Sequence, residues 1–223
     1  MDPRLAHIES WIFDLDNTLY PASASLFALI DERMRGFISE RLGLDEAAAH
    51  RLQKDYFRDH GTTLAGLMAQ HGTDPHEFLE YVHDIALDRL SHDQALADLI
   101  AALPGRKYVF TNGDRPYAIR VLDKLGLGLH FDDIHDVHDM GLVPKPSPRA
   151  YDGLCARLSI RPDRALFAED MARNLAPAKA LGMTTLWVEN GSEQAGGTAC
   201  ASYVDYVTRD LTAWLQAMTG AHP

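Results

Sequence analysis

Trp11-Ile12-Phe13-Asp14-Leu15-Asp16-Asn17-Thr18-Leu19-Tyr20 is an apolar run that breaks off into two carboxylates spaced two residues apart. A short, uninterrupted apolar run suits a strand buried on both faces, as strands are in parallel sheets covered by helices. Side chains of an extended chain repeat with period two, so Asp14 and Asp16 can meet at one edge of such a sheet. After Tyr20-Pro21 the pattern becomes helical: Leu26, Phe27, Leu29, Ile30, Met34, Phe37, Ile38 and Leu42 recur at helical spacing, and Gly43 closes the segment. Further helices are predicted near 45–59, 62–71, 75–90 and 93–102, with no strand pattern between them. From Arg106 apolar runs alternate with helices: 108–110, 133–137, 165–168, 184–188 and a short 203–204. That alternation predicts an α/β protein, a three-layer Rossmann-like parallel sheet with an all-helical insertion. Residues 1–20 and 101–223 would form the core, and residues 21–100 a helical cap.

Composition narrows the function. The 223 residues carry a formal charge of −11, which disfavours nucleic acid polymers, whose phosphates are bound largely through lysine and arginine. No stretch approaches the roughly 20 apolar residues of a membrane helix, and Met1-Asp2-Pro3-Arg4 lacks the apolar region of a signal peptide. The expectation is a cytoplasmic protein without a membrane partner. Cys155 and Cys200 lack CxxC spacing and read as packing residues, not as a disulfide or a nucleophile.

Ligands of open parallel sheets bind beyond the carboxyl ends of the strands, so the residues after each apolar run carry the chemistry. These are Asp14 and Asp16, then Thr111-Asn112-Gly113, then Lys145 between two prolines, then Glu169-Asp170. Singly, each has an ordinary structural reading: a turn, a solvated lysine, a helix cap. Together they suit a carboxylate nucleophile attacking phosphorus, which needs a cation to offset the repulsion between like charges. Asp14 and Asp170, with a backbone carbonyl, offer the hard oxygens that Mg2+ prefers. Thr111, backbone N–H groups near Asn112 and Gly113, and the Lys145 ammonium would stabilise the transferring phosphoryl group. Asp16 would protonate the leaving alkoxide and later activate water. His135-Asp136-Val137-His138-Asp139 has metal-binding residue types but no third ligand at zinc spacing, and reads as a polar loop.

The ordered set Asp14-Leu-Asp16-Asn-Thr18, Thr111-Asn112, Lys145 and Glu169-Asp170 resembles the four motifs of the haloacid dehalogenase-like superfamily over nearly the whole chain. The resemblance implies Asp14 as nucleophile, Asp16 as acid and base, and a Mg2+ ligand set of Asp14, Asp16 and Asp170. Glu169 would stand behind that set, and Asn174 would help orient the loop. A carboxylate at position 16 implies phosphomonoester hydrolysis and not dehalogenation, because a leaving alkoxide needs a proton and a halide does not. An insertion between the first two motifs is the family's helical C1 cap, which usually sets selectivity. The phrase ending Asp-Asn-Thr-Leu-Tyr-Pro, with His60-Gly61-Thr62-Thr63 and Tyr81-Val82-His83, is similar to the pyrimidine 5'-nucleotidase branch. That implies a nucleoside 5'-monophosphate as substrate, with sugar phosphates and pyridoxal-type phosphates as alternatives within the same chemistry. A mutase and a non-catalytic relative stand further off, since Asp14, Asp16 and Lys145 are all present. Tyr20, Lys54, Tyr56, Arg58, Thr62 and Thr63 are the candidates for contacting the leaving group, although Lys54 and Arg58 also fit a solvated helix face and Thr62 or Thr63 a helix cap.

Overall fold

The run before Asp14 forms β1 (Ser10–Phe13), every residue of which is buried in a computed structural model that describes residues 2–191 and 202–220. β1 pairs in parallel with β2 (Arg106–Phe110) on one side and β4 (Ala165–Glu169) on the other. Beyond them lie β3 (Asp133–His135), β5 (Thr184–Val188) and β6 (Tyr206–Thr208), giving the all-parallel order β3-β2-β1-β4-β5-β6. This is the three-layer Rossmann-like α/β architecture that the alternating pattern predicts. Phe13, Phe110 and Phe167 are fully buried near the sheet's carboxyl edge, each contributing about 1.5–3 kcal/mol through burial.

Helices α1 (Leu26–Leu42), α2 (Glu46–His60), α3 (Thr63–His71) and α4 (Pro75–His83) follow β1 directly. Their boundaries have local causes. Asp45, Thr62 and Asp74 each accept a backbone N–H of the following turn, and Gly43 ends α1 at a φ of 64°. α5 (Gln94–Ala102) packs instead against the C-terminal α9 (Leu211–Thr219). Between them α6 (Arg115–Leu125), α7 (Pro148–Leu158) and α8 (Ala172–Ala180) alternate with the strands.

Two local expectations are corrected, and one further helix is found. The helix predicted over 75–90 ends at His83, because Arg120 of α6 donates to the His83 carbonyl at 3.0 Å and to the Ile85 carbonyl at 2.7 Å. No local pattern encodes a partner on another helix. The strand expected at 203–204 forms at 206–208, while Tyr203 and Asp205 serve as hydrogen-bond partners of Thr185. α9 was not anticipated, although Asp210 at its N-cap, buried Leu211, Trp214 and Leu215, and Gly220 after it form a legible amphipathic pattern. Cys155 is a free thiol that burial pushes up to about 11, in keeping with a packing role, whereas Cys200 lies outside the described residues.

His135, at the end of β3, is fully buried with neither ring nitrogen hydrogen-bonded to protein. Burial holds its imidazole below the ordinary 6.5. The unfolded chain therefore takes up the proton first. Stability should be level above about pH 6.5 and fall as the pH drops below it. His135→Leu removes both the titration and the unpaired nitrogens, so the variant should gain about 1–3 kcal/mol at neutral pH and lose less on acidification. Urea unfolding near pH 7.5 and near pH 5.5 measures both effects; an unchanged acid loss in the variant would assign it to other groups.

Candidate active site

Strand register brings the acidic residues together. Phe13 is aligned with Ala168, so Asp14 emerges beside Glu169, and the Asp14 amide donates to the Ala168 carbonyl at 2.9 Å. Asp170 follows at once, and carboxylate oxygens of Asp14, Glu169 and Asp170 all lie within 4.8 Å of one another. Phe13 is also aligned with Val109, which puts Phe110 level with Asp14 and Thr111 one residue beyond.

Lys145, from the loop after β3, closes this cluster. It is 1% exposed, and its Nζ donates to Asp14 Oδ1 at 2.7 Å, to Glu169 Oε2 at 2.8 Å and to the Phe110 carbonyl at 2.7 Å. The ammonium also lies 5.0 Å from the Phe110 ring centre and 5.3 Å from that of Phe167. All three N–H bonds are thus committed to protein acceptors. The Lys145 backbone is held by Asn112, whose Nδ2 donates to the Lys145 carbonyl at 3.2 Å and whose Oδ1 accepts the Lys145 amide at 2.9 Å. Thr111 Oγ1 accepts the Gly113 amide at 3.0 Å, so that amide is committed within the turn. Glu169 also accepts from the Met171 amide at 3.1 Å and from Asn174 Nδ2 at 3.1 Å.

The charges in this cluster do not balance internally. Asp14, Glu169 and Asp170 are buried with one ammonium among them. Burial, and then the Glu169 charge, push Asp14 up to about 8 despite the attraction of Lys145. Burial disfavours the Lys145 charge, yet Asp14 and Glu169 outweigh it and raise that group above the ordinary lysine value. Three hard-oxygen carboxylates carrying surplus negative charge fit a divalent cation such as Mg2+. Asp14, whose oxygens accept from Lys145 and from the Thr18 hydroxyl at 3.2 Å, and Asp170 could hold such an ion at the cavity face, with Glu169 behind them on Lys145, Met171 and Asn174. The Thr18 and Leu19 amides both turn back to the Leu15 carbonyl, not to that of Asp16.

These residues open onto a cavity of about 840 Å³ between the sheet edge and helices α1 to α4. Lys54, Thr62 and Thr63 line it, as the sequence leads one to expect. Lys54 is paired with Asp31 at 2.8 Å, Thr62 caps α3, and the Thr63 hydroxyl donates to the Gln53 carbonyl at 3.4 Å. Tyr20, Tyr56 and Arg58 do not line it. Tyr20 is buried with its hydroxyl on Asp16 Oδ1 at 2.5 Å, Tyr56 is bonded to His71 at 2.7 Å, and Arg58 is exposed between Asp55 and Asp59. The 135–139 loop contributes no metal cluster among the described residues: Asp136 accepts backbone amides, and the His138 ring stacks on His76 of α4 at 4.5 Å.

Two contacts of the site escape sequence reading. Arg173 of α8 stacks over Phe57 of α2 at 4.5 Å and donates to the Gly61 carbonyl at 3.4 Å. Tyr117 of α6 donates to Asp16 Oδ1 at 2.8 Å. Neither partner lies within range of any local motif, so only chain folding reveals the contacts.

A parallel α/β sheet with buried carboxylates and a lysine at its carboxyl edge is the layout of a hydrolase acting at strand ends. The chain belongs to the haloacid dehalogenase-like hydrolase family, whose model matches residues 9–182. It is 28% identical over 191 residues to Phosphate metabolism protein 8 of Saccharomyces cerevisiae, covering 78% of this chain and 59% of that protein. It is 27% identical over 202 residues to a glyceraldehyde 3-phosphate phosphatase of Methanopyrus kandleri, covering 84% and 86%. Among solved structures it is similar to a family hydrolase from Deinococcus radiodurans with bound phosphate and sodium, at 25% identity and a TM-score of 0.57, covering 96% of both chains.

Proposed function

We propose that the chain is a Mg2+-dependent phosphomonoester hydrolase working through an aspartyl-phosphate on Asp14. The observation that carries this reading is the buried Asp14–Lys145–Glu169 cluster, with Asp170 beside it, opening onto a cavity of about 840 Å³. An Asp14 carboxylate oxygen attacks phosphorus, the ester P–O bond breaks, and the leaving alkoxide takes a proton from Asp16. Asp16 then removes a proton from water, whose oxygen attacks phosphorus and breaks the bond to Asp14. A Mg2+ ion held by Asp14 and Asp170, with a backbone carbonyl, would supply the positive charge that makes attack of carboxylate on phosphate feasible. Lys145 acts by charge and by holding Asp14, since its three N–H groups are all engaged. Thr111 stays a candidate for contacting the phosphoryl oxygens, with Asn112 fixing the Lys145 loop.

Helices α1 to α4 form the cap in this reading, and α5, packed on α9, goes with the core. The leaving group we favour is a nucleoside, most simply a pyrimidine nucleoside, because the cavity is large enough for a base and a ribose. Lys54, Thr62 and Thr63, which line the cavity, are our candidates among the cap residues for meeting it. The Methanopyrus relative favours a second reading, a smaller sugar or triose phosphate. Rates of phosphate release from UMP, CMP, ribose 5-phosphate, glyceraldehyde 3-phosphate and pyridoxal 5'-phosphate, compared as kcat/KM, decide between them. The nucleotide reading expects the pyrimidine nucleotides to lead, and a lead by glyceraldehyde 3-phosphate would replace it.

Removing the metal should abolish phosphate release and restoring Mg2+ should recover it. In the metal-free protein, Mg2+ at about 100 times its Kd should add about 2.7 kcal/mol of stability, because the ion binds only the folded cluster. A thermal melt with and without the ion measures this, and Asp170→Asn should remove the response. Activity that persists in a chelator would contradict the site.

A further inference from the structure

Asp16 has two oxygens, and the fold treats them differently. Oδ1 accepts the Tyr20 hydroxyl at 2.5 Å and the Tyr117 hydroxyl at 2.8 Å. Among the described residues Oδ2 is bonded to neither tyrosine. Asp16 lines the cavity, whereas Tyr20 and Tyr117 do not, so the two phenols hold the carboxylate from behind. A phenol is neutral at neutral pH, so both hydroxyls are donors. A carboxylate oxygen has two lone pairs, and two O–H donors occupy both.

The phenols are themselves fixed. Tyr20 lies four residues after Asp16 in the turn that leaves β1. Tyr117 sits in the first turn of α6, where Asp114 caps its amide at 3.3 Å. The ring of His83, at the end of α4, stacks on that of Tyr117 at 4.3 Å and 9°, and its Nδ1 is 2.8 Å from Asp114 Oδ1. Arg120 holds the chain around His83 by two carbonyls. The hydroxyl of Tyr117 is thus set from both the sheet side and the helical insertion.

We propose that Tyr20 and Tyr117 are positioning residues for proton transfer: by occupying Oδ1 they leave Oδ2 as the one atom of Asp16 that carries the proton to the leaving oxygen. This rests on the phosphatase reading given above. In the first step the Oδ2–H bond breaks as the ester P–O bond breaks, and the proton ends on the departing alkoxide. In the second step Oδ2 takes a proton from the attacking water. Without one phenol, Oδ1 competes for the proton and the carboxyl group is free to rotate, so less of the acid is presented in the productive orientation.

Leaving-group chemistry separates this role from a structural one. An alkoxide needs the proton to depart, whereas p-nitrophenolate leaves without it, and kcat/KM reports the steps up to that departure. Tyr20→Phe and Tyr117→Phe keep both rings, and with them the His83 stack. Each should lower kcat/KM about tenfold or more for an alkyl phosphate such as ribose 5-phosphate, and change it less than about threefold for p-nitrophenyl phosphate. Asp16→Asn should show the same contrast, enlarged. Equal losses on the two substrates in the tyrosine variants, with the wild type active on both, would overturn the positioning role and leave the phosphatase reading standing. A wild type that hydrolyses neither substrate in Mg2+ would overturn both.

Discussion

Asp14→Asn should release no measurable phosphate from any monoester, a fall of at least about 10⁴-fold in kcat, while the protein still folds. The amide has nearly the shape of the carboxylate, and its oxygen can still accept from Lys145, whose other two bonds, to Glu169 and the Phe110 carbonyl, are unaffected. It cannot form the acyl-phosphate bond at a useful rate. The change also takes one negative charge out of a cluster in which burial and Glu169 already push Asp14 up to about 8. Unfolding midpoints should therefore be kept or raised in the absence of metal, and phosphate release is read in the same preparation. Undiminished release would remove Asp14 from the role of nucleophile.

The second large effect is expected at Lys145. Replacing it with Met keeps the length of the chain and its packing between Phe110 and Phe167 but deletes the cation shared by Asp14 and Glu169. Breaking a buried pair on one side leaves uncompensated charge, at a cost of about 3–5 kcal/mol. Lys145→Met should lose that much stability in metal-free buffer and lose activity as well. Added Mg2+ should restore a larger share of stability to the variant than it adds to the wild type, because the ion then offsets charges that nothing else offsets. Denaturant titrations of both proteins with and without Mg2+ measure the difference. Equal responses to the ion would show that the lysine and the cation do not share the same carboxylates.

Much of the layout was legible in the chain. The apolar runs before Asp14, Thr111 and Glu169 are too short and too continuous for surface helices, and period-two extension with buried faces leaves a parallel sheet as the consistent solution. Positions after those runs then converge at one edge, as strand ends in this class of fold do. What escaped was set by partners distant in sequence. Arg120 takes the His83 and Ile85 carbonyls where α4 ends, and the Thr185 hydroxyl bonds the Tyr203 carbonyl and the Asp205 carboxylate just before β6. Among the cap candidates, Tyr56 and Arg58 point to local partners on or beside their own helix, which spacing alone could not distinguish from the cavity side.

The chain by itself determined the residue types of the site and the strand ends that carry them, because hydrophobic periodicity and the needs of carboxylate chemistry are both local properties. Only the tertiary structure decided how those groups are paired. Register sets Asp14 beside Glu169, burial brings one ammonium against both, and the meeting of Tyr20 with Tyr117 distinguishes the two oxygens of Asp16. Each of these depends on angstrom-scale distances between segments far apart in sequence, and hydrogen bonds and low-dielectric charge pairs are strong only at such distances.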